Sequence, residues 1–269
     1  MLTPALAPAK WVLGVHPYLA PREIQTRFAP LADYLAHYLQ APVQIRVATS
    51  YQDHILAIGR DRIDLAFIGP AAYVKLVNTY GPKPILGRLA IRGKPCFYGY
   101  IVVREDSDLN RLSALRGKRF SFGAPESTMG TLVPRDLLLQ AGVPPEQLAF
   151  FQHLTGHENV ALSVLAGAAD AGAVKSEIFE RYQPLGLRAL ARTACISEHL
   201  FITRGDLAPA QIERLRNGLL GLTPAEVAKV LAPIQAGVSG LVPARDEDYD
   251  PLRDIAQRWR QHRLEVGAP

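Results

Sequence analysis

Apolar and polar positions follow two alternating periods along the first half of the chain. Residues 11–16 form a short apolar run closed by the turn residues Pro17 and Pro21. Phe28, Leu31, Leu35 and Tyr38 then recur at helical spacing and predict one apolar face. Residues 43–47 are β-branched and alternating, which predicts a strand. Ser50 is placed to cap a helix over 51–59, with Asp53 three residues on and Ile55 and Ile58 turned inward. Residues 63–68 are almost continuously apolar, as in a strand covered on both faces; Gly69-Pro70 breaks the run and a helix over 71–80 follows. The middle of the chain repeats the rhythm. Strands are predicted at 97–103, 119–122, 171–174, 187–191 and 199–203. Helices are predicted at 132–140, from Gly156-His157 with Val160, Val164 and Leu165 inward, and at 176–182.

Strand-helix-strand order with short connections predicts an α/β fold of mainly parallel, doubly wound sheets. After Arg204 the pattern reads as helices only. Ile212, Leu215, Leu219 and Leu222 mark one; Thr223-Pro224-Ala225-Glu226 opens a second with a capping box; the last runs from 249 to about 264. No long Gly/Ser linker separates the two α/β units, so short hinge strands are expected to join them. The predicted division is a discontinuous first lobe, 1–100 and 201–269, with C-terminal helices packed on it, and a second lobe, 101–200.

Composition agrees with two lobes of ordinary size: 269 residues, 48% apolar and 20% charged. No apolar run approaches the roughly 20 residues of a membrane span. Net charge is +5 from 30 basic and 25 acidic residues, scattered along the chain. Without a basic stripe or aromatic platforms, nucleic acid is not an expected partner, although a mildly positive field would help an anion arrive. Two cysteines, Cys96 and Cys195, allow one bridge or two buried thiols. Neither these nor His16, His37, His54, His153 and His262 have metal-ligand spacing, and no metal or cofactor is expected. The Pro- and Ala-rich residues 1–10 lack a secretory-signal pattern, which leaves a cytosolic protein or one whose signal or anchor is missing from this sequence.

Three predicted helix starts follow strands and carry hydroxyl or ring donors: Thr49-Ser50-Tyr51, Ser127-Thr128 and Gly156-His157. Free amides and the helix dipole make such positions natural anion sites, beyond the carboxyl ends of the strands where α/β ligands bind. The stretch PESTMGTLVP, 125–134, resembles the Ser/Thr loop of the phosphate, phosphite and phosphonate solute-binding proteins of ABC importers. Residues 48–73, 156–180 and 249–253 resemble further segments of that family in the same order, over nearly the whole chain.

The resemblance implies the type II periplasmic-binding fold: two lobes, two hinge strands and an oxyanion in the cleft. It implies a periplasmic monomer that serves an ABC permease or, as in some relatives, a membrane sensor histidine kinase. Carried over by position, Ser127 and Thr128 would hold oxyanion oxygens. Tyr51 would add a phenol from the other lobe, and His157 a ring nitrogen. Phe97 stands at an aromatic ligand position, and Glu177 and His199 at polar positions that contact the organic part of phosphonates. Met129 replaces a third hydroxyl and Ile68 an aromatic. Fewer donors would suit a smaller, less charged or softer oxyanion. Cys96, beside Phe97, offers an alternative as an arsenic-binding thiol; a hydrolytic triad of Ser127, His157 and Glu177 is the rival from enzyme chemistry, though no G-x-S-x-G elbow surrounds Ser127.

Overall fold

The computed structural model describes residues 10–266. The Pro- and Ala-rich amino-terminal stretch, apart from Lys10, lies outside the described residues. The chain begins with β1 (Trp11–Val15), α1 (Pro21–Leu39), β2 (Val43–Val47), α2 (Tyr51–Gly59), β3 (Leu65–Ile68), α3 (Pro70–Tyr80) and β4 (Ile85–Ile91). It crosses through β5 (Cys96–Phe97) into β6 (Gly99–Arg104), β7 (Arg119–Phe122), α4 (Val133–Gln140), β8 (Phe150–His153), α5 (His157–Leu165), β9 (Ala171–Lys175), α6 (Ser176–Tyr182) and β10 (Leu187–Arg192). It returns through β11 (Ile196–Ser197) to β12 (Leu200–Thr203), α7 (Pro209–Leu220), α8 (Pro224–Val230), β13 (Val238–Val242) and α9 (Asp250–Glu265).

The strands form a six-stranded sheet, β13-β4-β12-β3-β1-β2, and a five-stranded sheet, β10-β6-β9-β7-β8. The two crossing strands, β5 and β11, pair only with each other. Both sheets are mixed and not mainly parallel. Each has a parallel trio, β3-β1-β2 or β9-β7-β8, extended on one side by antiparallel strands. The trios set the site, because their carboxyl ends and the helix starts after them face the same gap.

Local chemistry explains these elements. Ser50 accepts the Asp53 amide at 3.0 Å, and Thr223 and Glu226 complete the capping box that opens α8. The continuous apolar run of β3 is buried at every position. One further expectation gives way. The helices-only reading after Arg204 misses β13, which pairs antiparallel with β4. The C-terminal helices pack on the first lobe as expected, and α9 reaches further: it lies against α3 and also against α4, where Arg258 pairs with Asp136 at 2.8 Å. Among the described residues no helix is long and apolar enough to cross a membrane.

Candidate functional site

Between the sheets lies a narrow gap of about 10 Å³, the space of one water centre. His16, Tyr18, Tyr51, Gly69 and His199 line it from the first sheet's side. Ser127, Thr128, Met129, His157 and Lys175 line it from the second, and Phe97 of β5 closes the hinge side. His16 and Lys175 stand at carboxyl ends of parallel strands, and Tyr51 and His157 begin helices. His199 reaches the same edge because β12 runs antiparallel, with Leu200 opposite Ile68.

The Ser127-Thr128 loop is built by close backbone approach. Ser127 accepts the Gly130 amide at 3.0 Å and starts a five-residue π-turn, Thr128–Leu132, continuous with α4. The first amides of that turn precede any intrahelical acceptor. A Cβ on Gly130 would lie 2.8 Å from Ser127 Oγ and 2.9 Å from the Gly123 Cα, so only glycine fits. Gly130→Ala is therefore expected to displace Ser127. It should destabilise the protein by about 1–3 kcal/mol, read by urea unfolding, with a parallel loss of anion affinity read by calorimetry. Thr128 Oγ1 accepts the Ala71 amide of α3 at 3.0 Å, so the lobes touch beside the gap. Lys75 and Gln52 reach Glu126 nearby, at 2.8 and 3.4 Å.

His157 follows Gly156, which holds a left-handed φ of 80°. Its Nε2 lies 3.5 Å from Ser127 Oγ and its Nδ1 is buried without a partner. Burial, with Lys175 and His199 adding to it, brings its pKa down to about 3, so the ring is neutral at neutral pH. Tyr51 is buried beside Ser127, and burial pushes its phenol well up.

Sequence reasoning missed Lys175, His16 and Tyr18. Lys175 is 3% exposed, and its ammonium is the one permanent charge on the gap wall. It lies 2.7 Å from Glu177 Oε2, 3.3 Å from Gln235 Oε1 and 4.8 Å over the Tyr18 ring. The readable signal was its position: a lone cation directly after the buried run 171–174, at a strand end.

Seven of the nine residues singled out from sequence line the gap: Tyr51, Phe97, Ser127, Thr128, Met129, His157 and His199. Glu177 and Cys96 do not; both line an adjoining cavity of about 400 Å³. Burial raises the Glu177 carboxyl, but Lys175 and Arg27 beside it outweigh that and hold it down to about 2. A carboxylate bound to Arg27 at 2.9 Å and to Lys175 orients no histidine, so the Ser127, His157, Glu177 triad is not assembled. Cys96 is joined to Cys195 in a disulfide and offers no thiol to arsenic. The first predicted anion loop is also corrected. Asp53 accepts from the Thr49 hydroxyl and amide and occupies Ser50 through its own amide, so only Tyr51 of that loop reaches the gap.

Similar proteins agree with this architecture. The phosphate-import protein PhnD of Mycolicibacterium smegmatis is 25% identical over 264 residues, 87% of this chain and 80% of that protein. The structure of PhnD1 from Prochlorococcus marinus in complex with methylphosphonate superimposes with a TM-score of 0.85 at 21% identity, over 93% of this chain and 98% of that one. A binding component of an ABC phosphonate transporter from Pseudomonas aeruginosa gives 0.84 at 21% identity, over 97% and 89%. The family profile described as ABC transporter, phosphonate, periplasmic substrate-binding protein matches residues 13–249. The chain belongs to that family of extracytoplasmic solute-binding proteins, which carry ligands to ABC importers and are not enzymes.

Proposed function

We propose that this protein captures a small phosphorus oxyanion, phosphonate, phosphite or phosphate, in the gap between its lobes and presents it to an ABC permease. The observation that carries this reading is convergence. Two hydroxyls and a helix start from one lobe, rings from the other and a buried ammonium surround one water-sized space. The relatives point to the same chemistry, one by name a phosphate importer and one crystallised with methylphosphonate. The lobes are residues 1–100 with 201–269, and residues 101–200, hinged at β5 and β11.

In this reading Thr128, whose oxygen already accepts the Ala71 amide, donates its hydroxyl proton to the anion. Ser127, Tyr51 and Lys175 supply the other donors. The gap is the size of one water, so the lobes part to admit a tetrahedral anion and close on it. The bound ligand favours the closed form through contacts from both sides. Parting them breaks the Ala71 amide's bond to Thr128 and the contacts of the Glu126 carboxylate with Lys75 and Gln52.

Calorimetric titration tests the cradle. Ser127→Ala and Thr128→Ala are each expected to weaken methylphosphonate, phosphite or phosphate binding at least about tenfold, the worth of one hydrogen bond to a charged group. A ligand at 100 times its Kd should add about 2.7 kcal/mol to the unfolding free energy. Unchanged titrations in both variants reject the cradle.

A further inference from the structure

His16 occupies a place on the gap wall that the proposed function leaves unused. It is 1% exposed, and its Nδ1 lies 3.2 Å from the Phe67 carbonyl oxygen. A carbonyl only accepts, so Nδ1 carries the proton and Nε2 of the neutral ring presents a lone pair. That Nε2 is buried and has no partner. His199 stands beside it on the same wall. Its Nδ1 is 2.5 Å from Oε1 of Glu198, a fully buried carboxylate. The two rings stack with centroids 5.3 Å apart and 10° between planes. Both Nε2 atoms look at one point: a Cβ placed on Gly69 would lie 3.4 Å from that of His199 and 3.7 Å from that of His16. The gap therefore carries a donor side, at Ser127, Thr128 and Lys175, and an acceptor side at His16 Nε2.

We infer that this acceptor side selects the protonated form of the oxyanion, a monoanion that keeps one acidic O–H, with His16 Nε2 accepting that proton. The inference rests on the proposed function and deepens it. Phosphonates, phosphite and phosphate all have such a form near neutral pH. A sulfonate or sulfate, of similar shape, has no O–H and would set an oxygen against an imidazole lone pair, leaving a buried acceptor unpaired. Sites built on buried polar groups reject analogues that leave them so. The titratable groups around His16 are Tyr18, Tyr51, His54, His157, His199 and Lys175. Burial, then the neighbouring His199 and His54, push its ring well below the ordinary histidine range, so it accepts and does not donate across neutral pH.

Methylphosphonate and methanesulfonate, matched in shape, are titrated against the protein by calorimetry from pH 6 to pH 9. Methanesulfonate is expected to bind at least tenfold more weakly at pH 6. Methylphosphonate affinity should fall about tenfold per pH unit above the ligand's second ionisation, as the bound monoanion is depleted. His16→Phe keeps the ring packing and should bring the two ligands together; if that variant does not fold, the wild-type comparison alone decides. Equal affinity for both anions, or phosphonate affinity that holds or rises to pH 9, overturns the inference while leaving the oxyanion cradle in place. Binding of neither anion at any pH overturns both.

Discussion

Replacing Cys96 and Cys195 together by alanine is expected to lower the unfolding free energy by several kcal/mol while leaving oxyanion affinity within a fewfold of wild type. The bridge spans a sequence separation of 99 that contains the whole second sheet. A cross-link over a loop of about 100 residues restricts the unfolded chain by about 4.7 kcal/mol in the chain-entropy account, and native bridges typically contribute about 2–5. The bridge also joins the two crossing segments, beside a β5–β11 ladder that pairs only Phe97 with Ile196 and Cys96 with Ser197. So short a ladder holds weakly alone. Affinity is spared because the cystine lines the adjoining cavity and not the gap. A bridge at this position also suits the oxidising compartment in which the family works. Urea unfolding of the wild type with and without reductant, against the double variant, checks this; a loss below about 1 kcal/mol would show that the ladder and α9 already hold the crossing together.

Legibility in the sequence divides by range. What depends on near neighbours could be read: the Ser50 and Thr223 caps, the buried run before Gly69, and the helix start at His157. The Ser127 loop was legible because its glycine, hydroxyls and proline lie within ten residues and resemble a family loop. What depends on distant pairing could not. β13 reads as Val-Ser-Gly-Leu-Val, too short and too glycine-containing to declare itself, and it becomes a strand because β4 offers an edge. Sequence alone does not decide between a disulfide and free thiols, because only the register of β5 and β11 brings residues 99 apart together. His16, His54 and His199 fail every local spacing test. His16 and His199 meet because β1, β3 and β12 run side by side, and His54 joins them from α2. Glu177 and Cys96, expected at the ligand, line the adjoining cavity instead, because sequence position carries no direction for a side chain.

Those same histidines predict a steep acid transition. His54 is fully buried with its Nε2 on the Phe67 carbonyl, and burial brings its pKa down to about 4; His157 is brought down to about 3. Both values lie below the unfolded value near 6.5, so the unfolded chain binds more protons throughout the interval. Stability is then complete above pH 6.5 and is lost as pH falls through it, at up to about 1.4 kcal/mol per pH unit for each ring. Glu177, held at about 2, has the same sign at lower pH: its contribution is present above its ordinary value and lost as pH falls toward 2. Thermal unfolding between pH 7.5 and pH 4.5 is expected to show a loss of several kcal/mol. His54→Leu separates this from general acid sensitivity. The Phe67 carbonyl keeps its bond from His16, so neutral-pH stability should change little, while the acid slope should drop by nearly one proton. Bound oxyanion should flatten the remaining slope, because an anion beside His157 favours its protonated form, whereas His54 lies behind His16 and off the gap wall. A slope identical in wild type and His54→Leu would mean that the buried imidazole is hydrated and already free to take up its proton.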